Sequence, residues 1–281
     1  MRSFHSLSMI RSVEGAAAAA HSDSIPIRPC PIQTTMASST SRISFHPKAL
    51  NGTTSEHLIY FITGNPGLIG YYDTFLTTLH DLLSNTFASS SDIFHIHGQS
   101  LAGFEDDHTS SSRSTPYSLE EQISSSLTSL QSLTIPSGPH KSQPYTSIVL
   151  IGHSVGSYML LEIVQRLKKS SSSLHIKAGI LLFPTVTHIA KSPSGVKFQT
   201  LARIPNFAQL AASTAKTLVN LTPRAILKWL VGIVAKMPDD AAEVTTRFLK
   251  SRMGVWQALW VHSLSSNHEK LLMRVQTYGS R

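Results

Sequence analysis

The sequence predicts an α/β fold with a mostly parallel sheet, on three observations. Apolar, β-branched runs alternate with amphipathic helical stretches between residues 58 and 183. The best of these runs is apolar at every position rather than at every second one, as a strand covered on both faces requires. Another leads directly into Gly152-His153-Ser154-Val155-Gly156, a glycine-flanked turn from strand to helix.

Leu58-Ile59-Tyr60-Phe61-Ile62-Thr63 stops at Gly64 and reads as a central parallel strand. Residues 73–84 then set Phe75, Leu76, Leu79, Leu82 and Leu83 on one helical face. Ile93-Phe94-His95-Ile96 is a shorter strand ending at Gly98, and the polar stretch 99–117 reads as a surface loop. Ser118 and Glu121 have capping-box spacing, with Leu119, Ile123, Leu127 and Leu130 as the buried stripe of the helix that follows. Pro136 and Gly138 close it. Ser147–Ile151 is the strand entering the glycine-flanked turn. Beyond the turn, Tyr158, Leu161, Ile163, Val164 and Leu167 mark a helix ending in Lys168-Lys169, where cations suit the helix dipole. Ile176–Phe183 is the next strand, ending at Pro184. Alternation of this kind signals a parallel sheet with covering helices.

After Pro193 the alternation fails, and residues 200–236 read as helices. Arg224, Lys228, Gly232 and Lys236 fall every fourth position and form one narrow stripe, the rest of that helix being apolar. Such a helix is packed in protein on most sides or partly sunk in a lipid surface. Its place in the chain makes it a lid insertion, with Lys228, Trp229, Leu230 and Ile233 as lipid-surface candidates. Residues 237–281 read as helical, from a polar start at Asp239, Asp240 and Glu243 to Trp256–His262. Two further strands with their helices need about 60–80 residues; the 45 that remain (281 − 236) are too few. The strand at 176–183 is therefore expected to be an exposed edge. The expected organisation is an extension over 1–50 and one domain over 51–281, with a helical insertion at 192–250 and an atypical tail at 258–281.

Charged residues make up 14% of the chain, against roughly 25% in an average soluble protein. A formal charge of +8 suits an anionic partner. The charge is scattered, with no compact Lys/Arg run, so a phospholipid surface is expected and nucleic acid is not. Cys30 is the sole cysteine, which excludes an intramolecular disulfide and argues against a cysteine nucleophile. The 14 histidines include no HExxH or HxxxH spacing, and no metal or cofactor is expected. No apolar run reaches the roughly 18 residues of a membrane-spanning helix. The first forty residues are rich in Ser, Ala and Arg and poor in acids. A transit peptide, a disordered extension and a start at Met36 all remain open for them.

In a GxSxG turn the serine sits between strand and helix as a nucleophile elbow, and the flanking glycines let the backbone turn without a Cβ clash. Ser154 is the nucleophile this pattern nominates. Gly64-Asn65-Pro66-Gly67 follows a strand and precedes a helix, where an oxyanion-hole loop belongs. An oxyanion hole needs two N–H donors, and Asn65 and Val155 are the candidates; Pro66 has no N–H to give. His153 points away from its neighbour on such a turn and reads as structural. An acid and a base are hard to find: Asp239 or Glu269 as acid and His262 or His268 as base each read better as surface residues. Without a base, a serine hydroxyl is a poor nucleophile, although an oxyanion hole alone retains some rate enhancement.

Gly64–Gly67 with Tyr71, Tyr72 and Phe75, then Gly152–Tyr158, Leu181–Thr185 and Ser192–Gly195, together resemble the lipid droplet-associated hydrolase family over about residues 55–257. The resemblance implies an α/β-hydrolase fold, association with lipid droplets and the endoplasmic reticulum, and weak esterase activity on neutral lipids such as sterol esters, with a role in lipid storage. It also implies an acid in a Y-G-x-x-D motif after an apolar strand, which this sequence lacks. Two functions follow as expectations: a serine carboxylic ester hydrolase at a lipid surface, or a catalytically weak lipid-surface binding protein, including a truncated isoform without the acid and histidine.

Overall fold

β2 (Ser55–Ile62) is the middle of a five-stranded sheet ordered β1-β3-β2-β4-β5. Its neighbours are β3 (Asp92–Gln99) and β4 (Ser147–His153), both parallel to it, so that Ile59 lies opposite Ile96 on one side and Val149 on the other. Being flanked by strands and covered on both faces, β2 buries alternate residues in two cores. Leu58, Tyr60 and Ile62 join Leu130, Leu150, Met159 and Ile163 in one; Ile59 and Phe61 join Ile69, Leu76 and Ile96 in the other. This is why the run shows no alternation of apolar and polar residues. β2 begins at Ser55, earlier than its apolar residues suggest, because Glu56 is also buried. Its carboxylate accepts hydrogen bonds from His95 Nε2 (2.9 Å) and His140 Nδ1 (3.2 Å).

The computed structural model describes residues 41–47, 55–104, 115–185, 207–251 and 253–261, all within one compact unit, Ser38–Arg281. His262, His268, Glu269 and the proposed targeting segment lie outside the described residues, as does the whole of 186–206. One expected boundary needs correction. Arg42–Phe45, assigned to the 1–50 extension by sequence, form β1, antiparallel to β3 at the sheet edge. Side chains reinforce that pairing: Ser44 Oγ lies 2.9 Å from His97 Nδ1, and His46 Nδ1 lies 3.2 Å from His95 Nδ1. Burial, and then the nearby Arg42 charge, depress the His97 pKa to about 4.

Three helices cover the sheet. α1 (Asp73–Thr86) buries Leu76 and packs Leu79 and Leu83 beside it. Phe75 and Leu82 stay exposed, so the buried stripe is narrower than the expected face. α2 (Leu119–Ser132) starts with the expected capping box, Glu121 N–H donating to Ser118 Oγ and Ser118 N–H to Glu121 Oε2. α3 (Val155–Lys169) follows β4 directly. β5 (Ile176–Leu182) is parallel to β4 and forms the outer edge of the sheet among the described residues, with Ile180 44% exposed.

The later helices are α4 (Phe207–Leu221), α5 (Arg224–Ala235), α6 (Asp239–Lys250) and α7 (254–261). α6 buries Val244 and Phe248 in the core on the α3 side of the sheet. α5 lies on α6 through its basic stripe: Arg224 pairs with Glu243, and Lys228 Nζ reaches Asp239 Oδ2 at 2.8 Å and Glu243 Oε2 at 3.8 Å. The apolar arc of α5 faces outward, Trp229 being 63% and Val234 79% exposed, with Leu227 alone buried. Lys250 Nζ donates to the carbonyls of Val219 and Thr222, closing the C-terminus of α4. No single described helix is long and apolar enough to cross a membrane; α4 and α5 together would be, but they are bent by 119°.

Candidate active site

Ser154 is the single residue between β4 and α3, with φ 53° and ψ −120°. A side chain at positive φ is strained by about 1–3 kcal/mol and persists only where its surroundings over-determine it. Here they do. Its N–H donates to Leu182 O at 2.9 Å, and its carbonyl accepts from Ser157 N–H at 3.0 Å and Thr185 N–H at 3.4 Å. Both glycines of the turn are sterically required. A Cβ on Gly152 would meet the carbonyl of Gly156, and one on Gly156 would meet the carbonyl oxygens of Ile62 and Thr63. The buried Ser157 hydroxyl ties the first turn of α3 to the strand, donating to Gly152 O at 2.7 Å. Ser154 itself is partly exposed, and its Oγ lies 3.3 Å from Thr185 Oγ1.

The loop Gly64–Gly67 leaves the end of β2 and lies against this turn. A Cβ on Gly64 would stand 2.7 Å from His153 Nδ1 and 3.2 Å from Ser154 Cβ. Three residues secure the loop. Gly64 N–H donates to the Tyr72 hydroxyl (3.1 Å), Leu101 N–H donates to Gly67 O (2.8 Å), and Asn65 Nδ2 donates to Ala258 O on α7 (2.9 Å). The Asn65–Pro66 peptide is cis. The Tyr72 hydroxyl is also 2.9 Å from His153 Nδ1. Burial lowers the His153 pKa and raises that of Tyr72.

Of the residues nominated by sequence, Ser154, Val155 and the Gly64-Asn65 segment come together at one end of the sheet. Val155 opens α3, and the first N–H groups of a helix have no acceptor within it. Asp239 is not brought to Ser154 by any hydrogen bond: it opens α6 and holds Lys228, with its side chain 83% exposed. Trp229, Leu230 and Ile233 lie on the outward arc of α5, while Lys228 turns inward to α6. Sequence reasoning missed Thr185, at the end of the Leu181–Thr185 stretch, and the Tyr72–His153 contact. Nothing periodic marks either; both depend on chain segments meeting across the ends of strands.

A serine in this strained turn, with an N–H-bearing loop beside it, is the constellation of a nucleophile elbow. The family model for lipid-droplet associated hydrolases matches residues 55–267. The chain belongs to the lipid-droplet associated hydrolase family. Curated members similar to it include the lipid droplet-associated hydrolases of Mus musculus, 27% identical over 182 residues (63% of this chain, 52% of that protein), and of Dictyostelium discoideum, 31% identical over 211 residues (74% and 60%). The chain spans about half the length of the curated relatives it matches. Among solved structures, a deformylase from Pseudomonas putida S16 is similar with a TM-score of 0.42 and 14% identity, over 78% of this chain and 67% of its own. The α/β-hydrolase fold of this family member stands on its parallel sheet and the turn at Ser154.

Proposed function

We propose that this chain is a serine carboxylic ester hydrolase working at a lipid surface, with Ser154 as its nucleophile. The observation that carries the reading is the φ 53°, ψ −120° conformation of Ser154 between β4 and α3. In the reaction, Ser154 Oγ attacks the ester carbonyl and its proton passes to a general base. The N–H groups of Val155 and Asn65 receive the charge that develops on the carbonyl oxygen. Collapse of that intermediate breaks the bond to the alcohol, which leaves with a proton, and water then frees the acid from Ser154. The base is sought at His262 or His268, outside the described residues; Asp239, a candidate for the orienting acid, is engaged by Lys228.

The family, the exposed Leu210, Leu218 and Leu221 of α4 and the outward arc of α5 support a neutral-lipid ester as substrate, with sterol esters as the class proposed. They also support lipid droplets as the location. In this reading α4 and α5 are a lid whose apolar side meets the lipid. Hydrolysis of an emulsified sterol ester tests it: turnover by the wild-type chain that Ser154→Ala abolishes is the expected result. Equal rates in both would overturn the assignment of Ser154.

The same outward arcs favour a second reading, a lipid-surface binding protein with little turnover. Flotation with droplets in the absence of any Ser154-dependent hydrolysis would select it.

A further inference from the structure

Tyr72 closes the turn Ile69–Tyr72 that follows the Gly64–Gly67 loop, and its hydroxyl sits where loop and elbow meet. One of its lone pairs takes Gly64 N–H at 3.1 Å. Its own hydrogen is then available to His153 Nδ1, 2.9 Å away. Because burial keeps the imidazole neutral, Nδ1 can accept. The ring is fixed as well, with centroids 4.6 Å from Phe61 and 5.6 Å from His153. Gly64 is buried, so its N–H has little access to water as an alternative partner. The adjacent Tyr71 uses its hydroxyl elsewhere, 2.8 Å from Thr245 Oγ1 on α6.

We infer that Tyr72 is a positioning residue, whose hydroxyl bridges Gly64 N–H and His153 Nδ1 and thereby fixes how far the Asn65 N–H stands from Ser154. The inference rests on the proposed roles of Ser154 and Asn65. An oxyanion donor acts only if it already lies at hydrogen-bond distance from the position the charged oxygen will take. The phenol bridge is a direct side-chain link between the loop that supplies Asn65 and the elbow that supplies Ser154. Tyr72 touches no reacting atom. Its contribution is to hold the two halves of the site in register.

The test is Tyr72→Phe, which keeps the ring and removes the bridge, with Tyr71→Phe as a neighbouring control. Two readouts are taken on the full chain: amide hydrogen exchange at Gly64, and the rate of fluorophosphonate labelling of Ser154. In Tyr72→Phe, Gly64 should exchange at least about tenfold faster while β4 and α3 keep their protection, and labelling should slow by up to about 100-fold, the lower end of what outright loss of an oxyanion donor costs. Activity on a soluble ester should fall in kcat with KM nearly unchanged. Tyr71→Phe should leave Gly64 exchange as in wild type. Unchanged exchange at Gly64 in Tyr72→Phe overturns the inference. So does faster exchange with undiminished labelling. A wild-type chain that is never labelled defeats the role of Ser154, while the exchange comparison still decides whether Tyr72 holds the loop.

Discussion

The sheet and the helical pair α4–α5 solve opposite problems with the same residue types. In β2, β3 and β4, apolar side chains lie inside two cores; Leu58, Ile62, Ile96 and Leu150 are almost wholly buried. In α5 the apolar residues other than Leu227 lie outside, and its cations face the protein, Arg224 and Lys228 bonding to Glu243 and Asp239 of α6. Full burial of a Leu or Ile side chain stabilises by about 1.5–3 kcal/mol, whereas an exposed ion pair contributes about 0–1 kcal/mol. The sheet therefore carries the stability. The ion pairs contribute orientation: they fix which side of α5 meets the protein, and leave Trp229, Ile233 and Val234 as a surface. That outward arc is the surface on which the proposed lipid contact rests.

This contrast can be broken or sharpened by substitution. The largest effect is expected in the core. Leu150→Ala should destabilise by about 2–5 kcal/mol, whereas Val234→Ala should change stability by no more than about 0.5 kcal/mol. Denaturant melts of the two variants make the comparison, and equal losses would erase the distinction between the regions.

Acid should weaken the sheet side first. His97 is held neutral in the fold, its pKa being about 4 against an ordinary 6.5. A histidine with a depressed native pKa contributes stability in full above pH 6.5, and that contribution is lost as pH falls towards 4. The loss attributable to His97 is about 3 kcal/mol, with His46 and His95 shifted in the same direction. Unfolding measured between pH 7 and 4 should show this slope, and His97→Gln should flatten it.

On the helical side the expected changes are in binding more than in stability. Trp229→Glu or Leu230→Glu should release the chain from floated lipid droplets while leaving its melting temperature within a few degrees of wild type. Flotation unchanged in both variants would exclude α5 as the contact surface. Lys228→Ala should likewise change stability little, since exposed ion pairs contribute little, and its midpoint in the same melts should stay close to wild type.

How far each region was legible in sequence follows from what organises it. β2, β4, α2 and α3 obey burial and capping rules that act on near neighbours, and their order, and hence the parallel sheet and the elbow, could be read directly. β1 could not: Arg42-Ile43-Ser44-Phe45 is short, polar on alternate residues, and exists because β3 offers it an edge. The stripe on α5 was visible, yet its period is the same whether the cations face water or a partner helix. Only the meeting with Asp239 and Glu243 decides, and that is a tertiary fact. In the site, Ser154 and the Gly64–Gly67 loop carry local signatures. Thr185, Tyr72 and the grip of Ala258 on Asn65 are contacts between distant segments, and no local pattern encodes them.

The central claim is that the strained turn at Ser154 presents a working nucleophile. Incubation of the folded chain with a fluorophosphonate probe at micromolar concentration tests it most directly. Covalent labelling of wild type, with none in Ser154→Ala at equal folding, is the predicted result. A folded wild-type chain that stays unlabelled would contradict the claim.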